Sequence, residues 1–544
     1  MGPTWKQRVL STLLGATVAS GLTTLILILV EATSVLLPTD TKFGVVFDAG
    51  STHTSLFVYR WPADKQNSTG VVSQALACQV KGPGISSYAS DPAQAGESLQ
   101  GCLEEALVII PQAKHQETPA FLGATAGMRL LSQKNGSQAT AIFAAVSQAL
   151  GRSPLDFRGA ELLTGQDEGA FGWITINYVL GRLVQYSFSG EWIRPLEGTL
   201  VGALDMGGAS TQITFVPRGP ILDESSQATF RLYGSEHRVY THSYLCFGHD
   251  QMLTRLLAQL VQASPGPLVC HPCYHRGYRA MLSLATLYES PCVHTPPPQH
   301  GAGNLTVEGT GSPTACVSAI QGLFNFSGCE GRGHCTFDGV YQPPVQGQFY
   351  AFSSFYYTFA FLNLTSKQPL ATVNTTVWEF CQRPWKQVEA SARGQERWLR
   401  DYCASGLYIL TLLLEGYGFS EETWPSIEFR KQVITSWAQP SGAGALGQLP
   451  LPASCPTGRR HQYWLDAGLH AEPDQHDPSR RARPVEGPEL WRVGSRCWLH
   501  GAYARGHSWS CCRPPPLAPQ LSGPPPTVGG PGPAPTARGC LPRS

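Results

Sequence analysis

The chain has 544 residues and a formal net charge of +1 at pH 7, because its 39 Lys and Arg residues nearly balance its 38 Asp and Glu residues. This balance gives no signal for binding to nucleic acid or to an anionic membrane surface, and the length predicts at least two domains. Charged residues make up only 14% of the chain, against about a quarter in an average soluble domain. Another feature must therefore keep the surface soluble.

The N-terminal segment predicts a membrane anchor. Residues 9–30 carry no charge and are mostly apolar or small, and a run of this length spans a bilayer. Lys6 and Arg8 precede the run and Glu31 follows it, so the positive-inside rule places residues 1–8 in the cytoplasm and the rest of the chain outside. A cleaved signal peptide is the competing interpretation, but the run is long for one, and we favour an uncleaved anchor.

Two further features fit a location outside the cytoplasm. N-linked glycans at the Asn-X-Ser/Thr sequons would explain the low charge. Of the 16 cysteines, those up to Cys403 indicate a disulfide framework. Cys270 and Cys273 form a lone CxxC, which is more typical of disulfide bonding than of a zinc site. The sequon asparagines are Asn67, Asn135, Asn304, Asn325, Asn363 and Asn374.

The first candidate functional segment is FDAGSTHT at 47–54. Apolar, β-branched residues on both sides predict two strands joined by a tight turn. Gly50 lets the backbone approach a ligand closely, and successive N–H groups of the turn can hold an anion. Asp48 offers an oxygen ligand for Mg²⁺ or Ca²⁺. An ordinary hairpin with a polar turn is the alternative interpretation of a single loop of this kind.

The same pattern recurs about 157 residues later, at 201–215. A strand ending in Asp205 is followed by the turn residues Gly207 and Gly208, and a second strand follows from Ser210. Two matches of this kind are improbable by chance. The sequence therefore predicts a duplicated domain that grips phosphates from both sides.

Two more segments lie between these hairpins. At 121–131 an apolar strand ends in a small-residue turn before a helix. Thr125 can hydrogen-bond a phosphate or a water there, and the helix start adds partial positive charge; a plain strand-to-helix turn is the alternative. At 161–173 adjacent acids lie between glycines. A carboxylate there could serve as general base for water, a solvated loop is the alternative, and Trp173 is expected in the core.

Together these segments resemble the first four conserved regions of the ecto-nucleoside triphosphate diphosphohydrolases, which are also called the GDA1/CD39 apyrases. The segments are FDAGSTHT, GATAGMRLL, ELLTGQDEGAFGW and LDMGGASTQ. Residues 288–292 and 349–352 also resemble the cell-surface branch of this family. The resemblance implies an α/β fold of two actin-like lobes, of the sugar kinase and heat-shock ATPase class, with a nucleotide cleft between them. We expect the lobes at about 40–165 and 166–432.

The resemblance also implies in-line attack of water on the terminal phosphate of nucleoside tri- and diphosphates such as ATP, ADP, UTP and UDP, with Ca²⁺ or Mg²⁺ as cofactor. Glu168 matches the general base, and Asp48 and Asp205 match the acids that hold the water shell of the metal ion. The groups that position the attacking water match Thr125, Ser210 and Gln212. The two phosphate loops match Gly50, Ser51, Thr52, His53, Gly207, Gly208 and Ala209.

A base pocket and a set of disulfides are implied in the same way. Tyr356 or Tyr357 matches a tyrosine that stacks on the nucleobase, and stacking tolerates any base. Cys270 is left over as an unpaired thiol. The implied disulfides join Cys78 with Cys102, Cys246 with Cys292, Cys273 with Cys316, Cys329 with Cys335, and Cys381 with Cys403.

The resemblance stops at about Val433. Family members continue with a fifth conserved region near the cleft and a second membrane span. Residues 433–544 are instead rich in Pro, Gly and Arg, contain five cysteines and have no periodicity, which predicts disorder. The alternative to an active enzyme is therefore a catalytically impaired chain that is retained in the endoplasmic reticulum or associates with complete subunits.

The sequence as a whole predicts a single-pass protein of the cell membrane whose catalytic domain is extracellular. An intracellular actin-like kinase or chaperone ATPase would use similar phosphate loops. The anchor, the sequons and the cysteines count against that class of protein. The lipid bilayer and the nucleotide are the expected partners, nucleic acid is not, and a homo-oligomer is left open.

Overall fold

The computed structural model describes most of the region between the predicted anchor and the predicted tail. The described residues are 41–62, 72–186, 192–193, 200–264, 266–297, 304–329, 333–391 and 398–431, together with 5, 20–22 and 24. Most of the predicted anchor at 9–30, the sequon at Asn67 and the tail at 433–544 lie outside them. Within the described residues, no helix combines the length and apolar character needed to cross a bilayer.

Strands form wherever short apolar, β-branched runs alternate with turn residues. They are β1 (Thr41–Ala49), β2 (Thr54–Pro62), β3 (Ser73–Gln79), β4 (Pro119–Ala124), β5 (Asp156–Leu162), β6 (Gln185–Tyr186), β7 (Trp192–Ile193), β8 (Gly202–Met206), β9 (Ser210–Phe215), β10 (Gln227–Leu232), β11 (Ser235–Leu245), β12 (Leu268–His271), β13 (Arg279–Ser283), β14 (Asn304–Gly309), β15 (Phe349–Ser353) and β16 (Ile427–Phe429).

The α-helices lie between these strands along the chain. They are α1 (Pro92–Ser98), α2 (Gln100–Ile109), α3 (Ala126–Lys134), α4 (Gly136–Gly151), α5 (Gly165–Val179), α6 (His249–Gln262), α7 (Leu284–Tyr288), α8 (Pro313–Gln321), α9 (Ser354–Phe361), α10 (Leu370–Gln382), α11 (Trp385–Ser391) and α12 (Tyr402–Thr411). A π-helical turn, Leu412–Gly416, extends α12.

The two large sheets repeat one strand order. The first sheet runs β3-β2-β1-β4-β5, and the second runs β10-β11-β9-β8-β15-β16. In each, a central strand pairs antiparallel with the next strand of its hairpin and parallel with a strand on its other side. Apart from the extra edge strand β10, the second sheet therefore has the topology of the first, as the repeated sequence pattern predicts. Smaller sheets join β12-β14-β13 and β6-β7.

The central strands of both sheets lie inside the protein. All five residues of β8 are buried, and in β1 Lys42 is the one exposed residue. Strands covered on both faces are continuous apolar runs in sequence. Strand β1 fits this rule, because Val45 and Phe47 pack in one core cluster and Val46, on the opposite face, packs in another. Trp173 is fully buried, as expected. The hairpin turns at the ends of β1 and β8 are thus fixed by buried scaffolding.

The five disulfide pairs implied by the family resemblance are all present among the described residues. Most close loops of 22 to 46 residues, between Cys381 and Cys403 at the short end and Cys246 and Cys292 at the long end. The expectation of an unpaired thiol at Cys270 is wrong, because that cysteine is disulfide-bonded as well. The sequence alone does not show which cysteines pair, so it could not reveal this bond.

Helix α1 packs so closely on α4 that Gly96 has no room for a side chain. A Cβ atom at Gly96 would lie 2.9 Å from the Ala145 carbonyl oxygen and 2.9 Å from Ala149 Cβ. We expect Gly96→Ala to lower the free energy of unfolding by about 1–3 kcal/mol through overpacking. The matched control is Gly101→Ala on α2, where nothing lies within 4 Å; better helix propensity should stabilise it by about 0.5–1 kcal/mol. Thermal unfolding of both variants measures this, and equal shifts would contradict the packing.

Candidate active site

Two hairpin turns face each other across the site. The turn Gly50–His53 joins β1 to β2, and the turn Gly207–Ala209 joins β8 to β9. A Cβ atom at Gly208 would lie 2.7 Å from Thr52 Cγ2 and 2.8 Å from Ser51 Oγ. The turns therefore approach to van der Waals distance, and a larger residue at position 208 would have to displace the Thr52 and Ser51 side chains. The seven residues predicted to form two phosphate loops are thus brought together.

Buried acids lie at the ends of the two central strands. Asp48 is 2% exposed and Asp205 is 7% exposed. Burial raises the pKa of Asp48 well above its ordinary value, and the negative charges of Glu168 and Asp205 raise it further. Such a pair of carboxylates suits a cation, which would stabilise their charged forms.

Whether these acids fit the implied metal depends on the kind of coordination. Within the described ranges, no group of three or more His, Cys, Asp or Glu side chains is placed to hold a metal ion. Mg²⁺, however, keeps several waters and is commonly held by one or two carboxylates plus substrate phosphates. The hard oxygen donors of Asp48 and Asp205 fit an ion held in that way.

The start of helix α5 places Glu168. Thr164 caps this helix, because its Oγ1 accepts a hydrogen bond of 3.1 Å from the Asp167 backbone N–H. Glu168 follows in the first turn, where the helix dipole favours a carboxylate. It is nevertheless only 4% exposed. The segment is thus a capped helix start with a buried acid, and the alternative of a solvated loop is wrong.

Polar side chains surround the buried carboxylate. Gln212 Nε2 donates to Glu168 Oε2 at 3.0 Å and to Ser210 Oγ at 2.7 Å. Arg129 Nη2 forms an ion pair with the same carboxylate oxygen. Burial raises the pKa of Glu168, and the Arg129 charge and the Ser210 hydroxyl limit that rise. The result is a carboxyl group that is oriented from several sides.

Thr125 lies where the sequence places it, directly after β4. Its backbone N–H donates to the Ala49 carbonyl at 3.1 Å, which ties it to the first hairpin turn. It is 2% exposed and precedes helix α3. A Cβ atom at Gly127, in that helix, would lie 2.7 Å from Ser51 Cα. The strand-to-helix turn is therefore packed directly on the first loop.

Two side chains of this cluster were not predicted from the sequence. Arg129 is the one charged residue of the segment 121–131, and that isolation could have drawn attention to it. Ser243 Oγ, on β11, lies 3.0 Å from Gln212 Nε2 and accepts from Arg129 Nη1 at 3.4 Å. Nothing in the sequence around Ser243 signals this role, because only the pairing of β11 with β9 brings it to the site.

Glycines explain how α5 comes so close to the second sheet. A Cβ atom at Gly165 would lie 2.4 Å from Ser243 Cβ, and one at Gly169 would lie 2.7 Å from both Thr214 Oγ1 and Thr241 Oγ1. The two glycines flank the acidic pair predicted from the sequence. They let Glu168 reach Gln212 without moving the strands.

The start of α6 holds the second turn in place through backbone hydrogen bonds. The backbone N–H groups of His249 and Asp250 donate to the Gly207 and Gly208 carbonyls, both at 2.9 Å. A Cβ atom at Gly248 would lie 2.4 Å from the Ser210 backbone nitrogen. Backbone contacts therefore fix this turn, and no side-chain motif in the sequence predicts those contacts.

The predicted base-stacking residues lie on α9. Tyr356 and Tyr357 are both half-buried, with ring centroids 5.6 Å apart and planes inclined by 75°. Four sequon asparagines are exposed, namely Asn304, Asn325, Asn363 and Asn374. Asn135 is half-buried, and its Oδ1 accepts from the Gln138 backbone N–H at 3.2 Å as the cap of α4.

Comparison with known proteins places this site in context. The sequence profile of the GDA1/CD39 (nucleoside phosphatase) family matches residues 34–443. Ectonucleoside triphosphate diphosphohydrolase 8 from Bos taurus is 76% identical over 433 residues, which are 79% of this chain and 87% of that protein. The Homo sapiens protein of the same name is 72% identical over 456 residues, covering 83% and 92%.

More distant proteins are similar as well. Ectonucleoside triphosphate diphosphohydrolase 2 from Homo sapiens is 46% identical over 428 residues, which are 77% of this chain and 85% of that protein. A crystal structure of nucleoside triphosphate hydrolases from Neospora caninum matches 84% of this chain and 96% of its own, with a TM-score of 0.53 and 14% identity. At that identity the structural match supports the fold alone.

Burial of Asp48 should make the metal-free protein depend on pH. A carboxyl group whose pKa is raised by folding stabilises the folded state at low pH, and that contribution is lost as pH rises through the folded pKa. In the presence of a chelator, we therefore expect Asp48→Asn to melt at a higher temperature than the parent at pH 8. The advantage should shrink as pH falls towards 3.8, the ordinary pKa of an aspartate carboxyl group.

Glu105→Gln, which removes an exposed carboxylate on α2, is the control and should show no such dependence. A parent protein that melts at a higher temperature than Asp48→Asn at pH 8 without metal would contradict the conclusion that burial of the Asp48 charge is unfavourable.

Proposed function

The chain belongs to the GDA1/CD39 (nucleoside phosphatase) family, and we propose that its two facing hairpin turns hold the phosphate chain of the nucleotide. It is a nucleoside tri- and diphosphate hydrolase of the ecto-nucleotidase type. Membership of this family favours an active hydrolase over a catalytically impaired chain, which is the alternative suggested by the composition of residues 433–544. The observation that carries the proposed site is the buried Glu168 carboxylate, held by Gln212 and Arg129 beside both turns.

In the proposed mechanism, water attacks the terminal phosphorus in line, the bond from that phosphorus to the bridging oxygen breaks, and the nucleotide leaves one phosphate shorter. Glu168 takes the proton of that water, which its raised pKa suits. Ser210, Gln212 and Thr125 orient the water. Because Gln212 binds both the base and the Ser210 hydroxyl, one carboxamide would set the distance between base and nucleophile. Water as nucleophile requires no activated Ser or Cys.

The chain's own groups would also bind the charges of the substrate. Backbone N–H groups of Gly50–His53 and Gly207–Ala209 would hold the phosphates from opposite sides. Asp48 and Asp205 would hold Ca²⁺ or Mg²⁺ through water. When bound, that ion supplies positive charge against the charge that develops on the phosphate oxygens.

Substrate choice and location complete the proposal. We propose ATP, ADP, UTP and UDP as substrates, with Tyr356 or Tyr357 stacking on the base without selecting it. We further propose a single-pass cell-surface protein, anchored in the bilayer by residues 9–30 and glycosylated on its exposed sequons. Retention in the endoplasmic reticulum is the competing location, and self-association is left open.

Replacing the proposed base should abolish turnover and leave binding intact. We expect Glu168→Ala to lower kcat by two to four orders of magnitude, roughly the usual contribution of general base catalysis. Phosphate release from ATP measures turnover, and binding of a non-hydrolysable ATP analogue measures occupancy. The exposed Glu105→Ala variant should match the parent in both. Near-normal turnover in Glu168→Ala would remove Glu168 as base.

The charge of Arg129 should set the pH range of the reaction. Burial raises the pKa of Glu168, and the Arg129 charge opposes that rise. In Arg129→Met the pKa should rise further, so the carboxylate is protonated at higher pH. We therefore expect the acid limb of kcat/KM against pH to move to higher pH, whereas Arg129→Lys should move it less. An acid limb that stays fixed or moves to lower pH would contradict this role.

A further inference from the structure

We propose that Tyr417 is a positioning residue for Asp205, acting through Thr211. This proposal rests on the proposed function, in which Asp205 holds the metal ion through water. Tyr417 lies far from Asp205 in sequence, directly after the π-helical turn Leu412–Gly416. π-helical turns often occur at functional sites, where the extra residue re-aims the chain.

A relay of hydroxyl groups links the two residues. Thr211 Oγ1 donates to the backbone carbonyl of Asp205 at 2.7 Å. The Tyr417 hydroxyl lies 3.2 Å from the same Thr211 oxygen. A hydroxyl group has a single proton to donate. Because Thr211 gives its proton to Asp205, Tyr417 must be the donor to Thr211, and the relay has a fixed direction.

The start of the relay is held rigidly. Tyr417 is 1% exposed. Its backbone N–H donates to the Leu412 carbonyl at 2.7 Å, across the π-helical turn. Its carbonyl accepts from Gln342 Nε2 at 2.8 Å, and Gln342 is buried too. The phenol ring therefore has little freedom, and its hydroxyl group is a fixed point for the strands that it contacts.

The relay ends next to the residues of the proposed site. Asp205 is the penultimate residue of β8, just before the second phosphate turn. Thr211 itself lies on β9 between Ser210 and Gln212, which contact the proposed base. One hydroxyl group thus sets the spacing of two paired strands at the point where the proposed metal acid and the proposed water-binding residues emerge.

The test compares two buried tyrosines of the second sheet and its core. Tyr417→Phe removes only the hydroxyl that binds Thr211. Tyr240→Phe is the matched control, because Tyr240 is fully buried and its hydroxyl donates to the Tyr341 carbonyl at 2.7 Å. Tyr240 pairs with Phe215, at the end of β9 away from Ser210, about 17 Å along the strand.

The measurement is the Mg²⁺ concentration that half-saturates thermal stabilisation of the full chain in the presence of a non-hydrolysable ATP analogue. We expect Tyr417→Phe to raise it about three- to tenfold, the range expected for one lost hydrogen bond. Tyr240→Phe should leave it unchanged, even where both variants melt earlier without ligand. An unchanged Mg²⁺ requirement in Tyr417→Phe would overturn the proposal.

Two further variants keep the test decisive. Should Tyr417→Phe fail to fold, Thr211→Val breaks the same relay, and Thr211→Ser keeps its hydroxyl. A wild-type Mg²⁺ requirement in Thr211→Val, or an equal rise in Thr211→Ser, would overturn the relay. Asp205→Asn separates this proposal from the proposed function: if it also keeps the wild-type requirement, the metal role of Asp205 itself is wrong.

Discussion

Negative charge buried at the ends of two equivalent strands is the constraint on which the site depends. Asp48 and Asp205 are nearly inaccessible, and Glu168 is buried beside them. Burial raises the pKa of Asp48, and the negative charges of Glu168 and Asp205 raise it further. The acids are buried because the central strands that carry them are buried on both faces. The free energy of folding must therefore offset the unfavourable burial of their charge. In the proposed site, a cation and the phosphate groups of the substrate would offset this cost.

The duplicated sheets supply unequal parts of the site. Both contribute a hairpin turn and an acid, but the second sheet also carries Ser210, Gln212 and Ser243. The first contributes Arg129, which reaches from α3 to the Glu168 carboxylate. The proposed base is therefore tuned by a charge from the other repeat. Burial raises the pKa of Glu168 and the Arg129 charge limits that rise, so the protonation of this carboxyl group depends on a residue of the first repeat.

Local chemistry made part of this predictable from sequence. Strand, acid, glycine turn and hydroxyl occur in adjacent residues, so both hairpins could be located before the structure was known. Arg129 lies within the candidate segment 121–131, but no role was predicted for its side chain. Ser243 and Tyr417 are positioned by strand pairing and by a π-helical turn, which no local pattern encodes. Cys270 was misjudged because disulfide pairing is a property of the folded chain.

The most direct test of the proposed site is an experimental structure of the full chain with Glu168→Gln, Mg²⁺ and a non-hydrolysable ATP analogue. We expect the phosphate chain to lie between Gly50–His53 and Gly207–Ala209. We also expect a metal ion whose bound waters contact Asp48 and Asp205. A nucleotide bound with its phosphates away from both turns, or a metal ion remote from both acids, would contradict the proposed site.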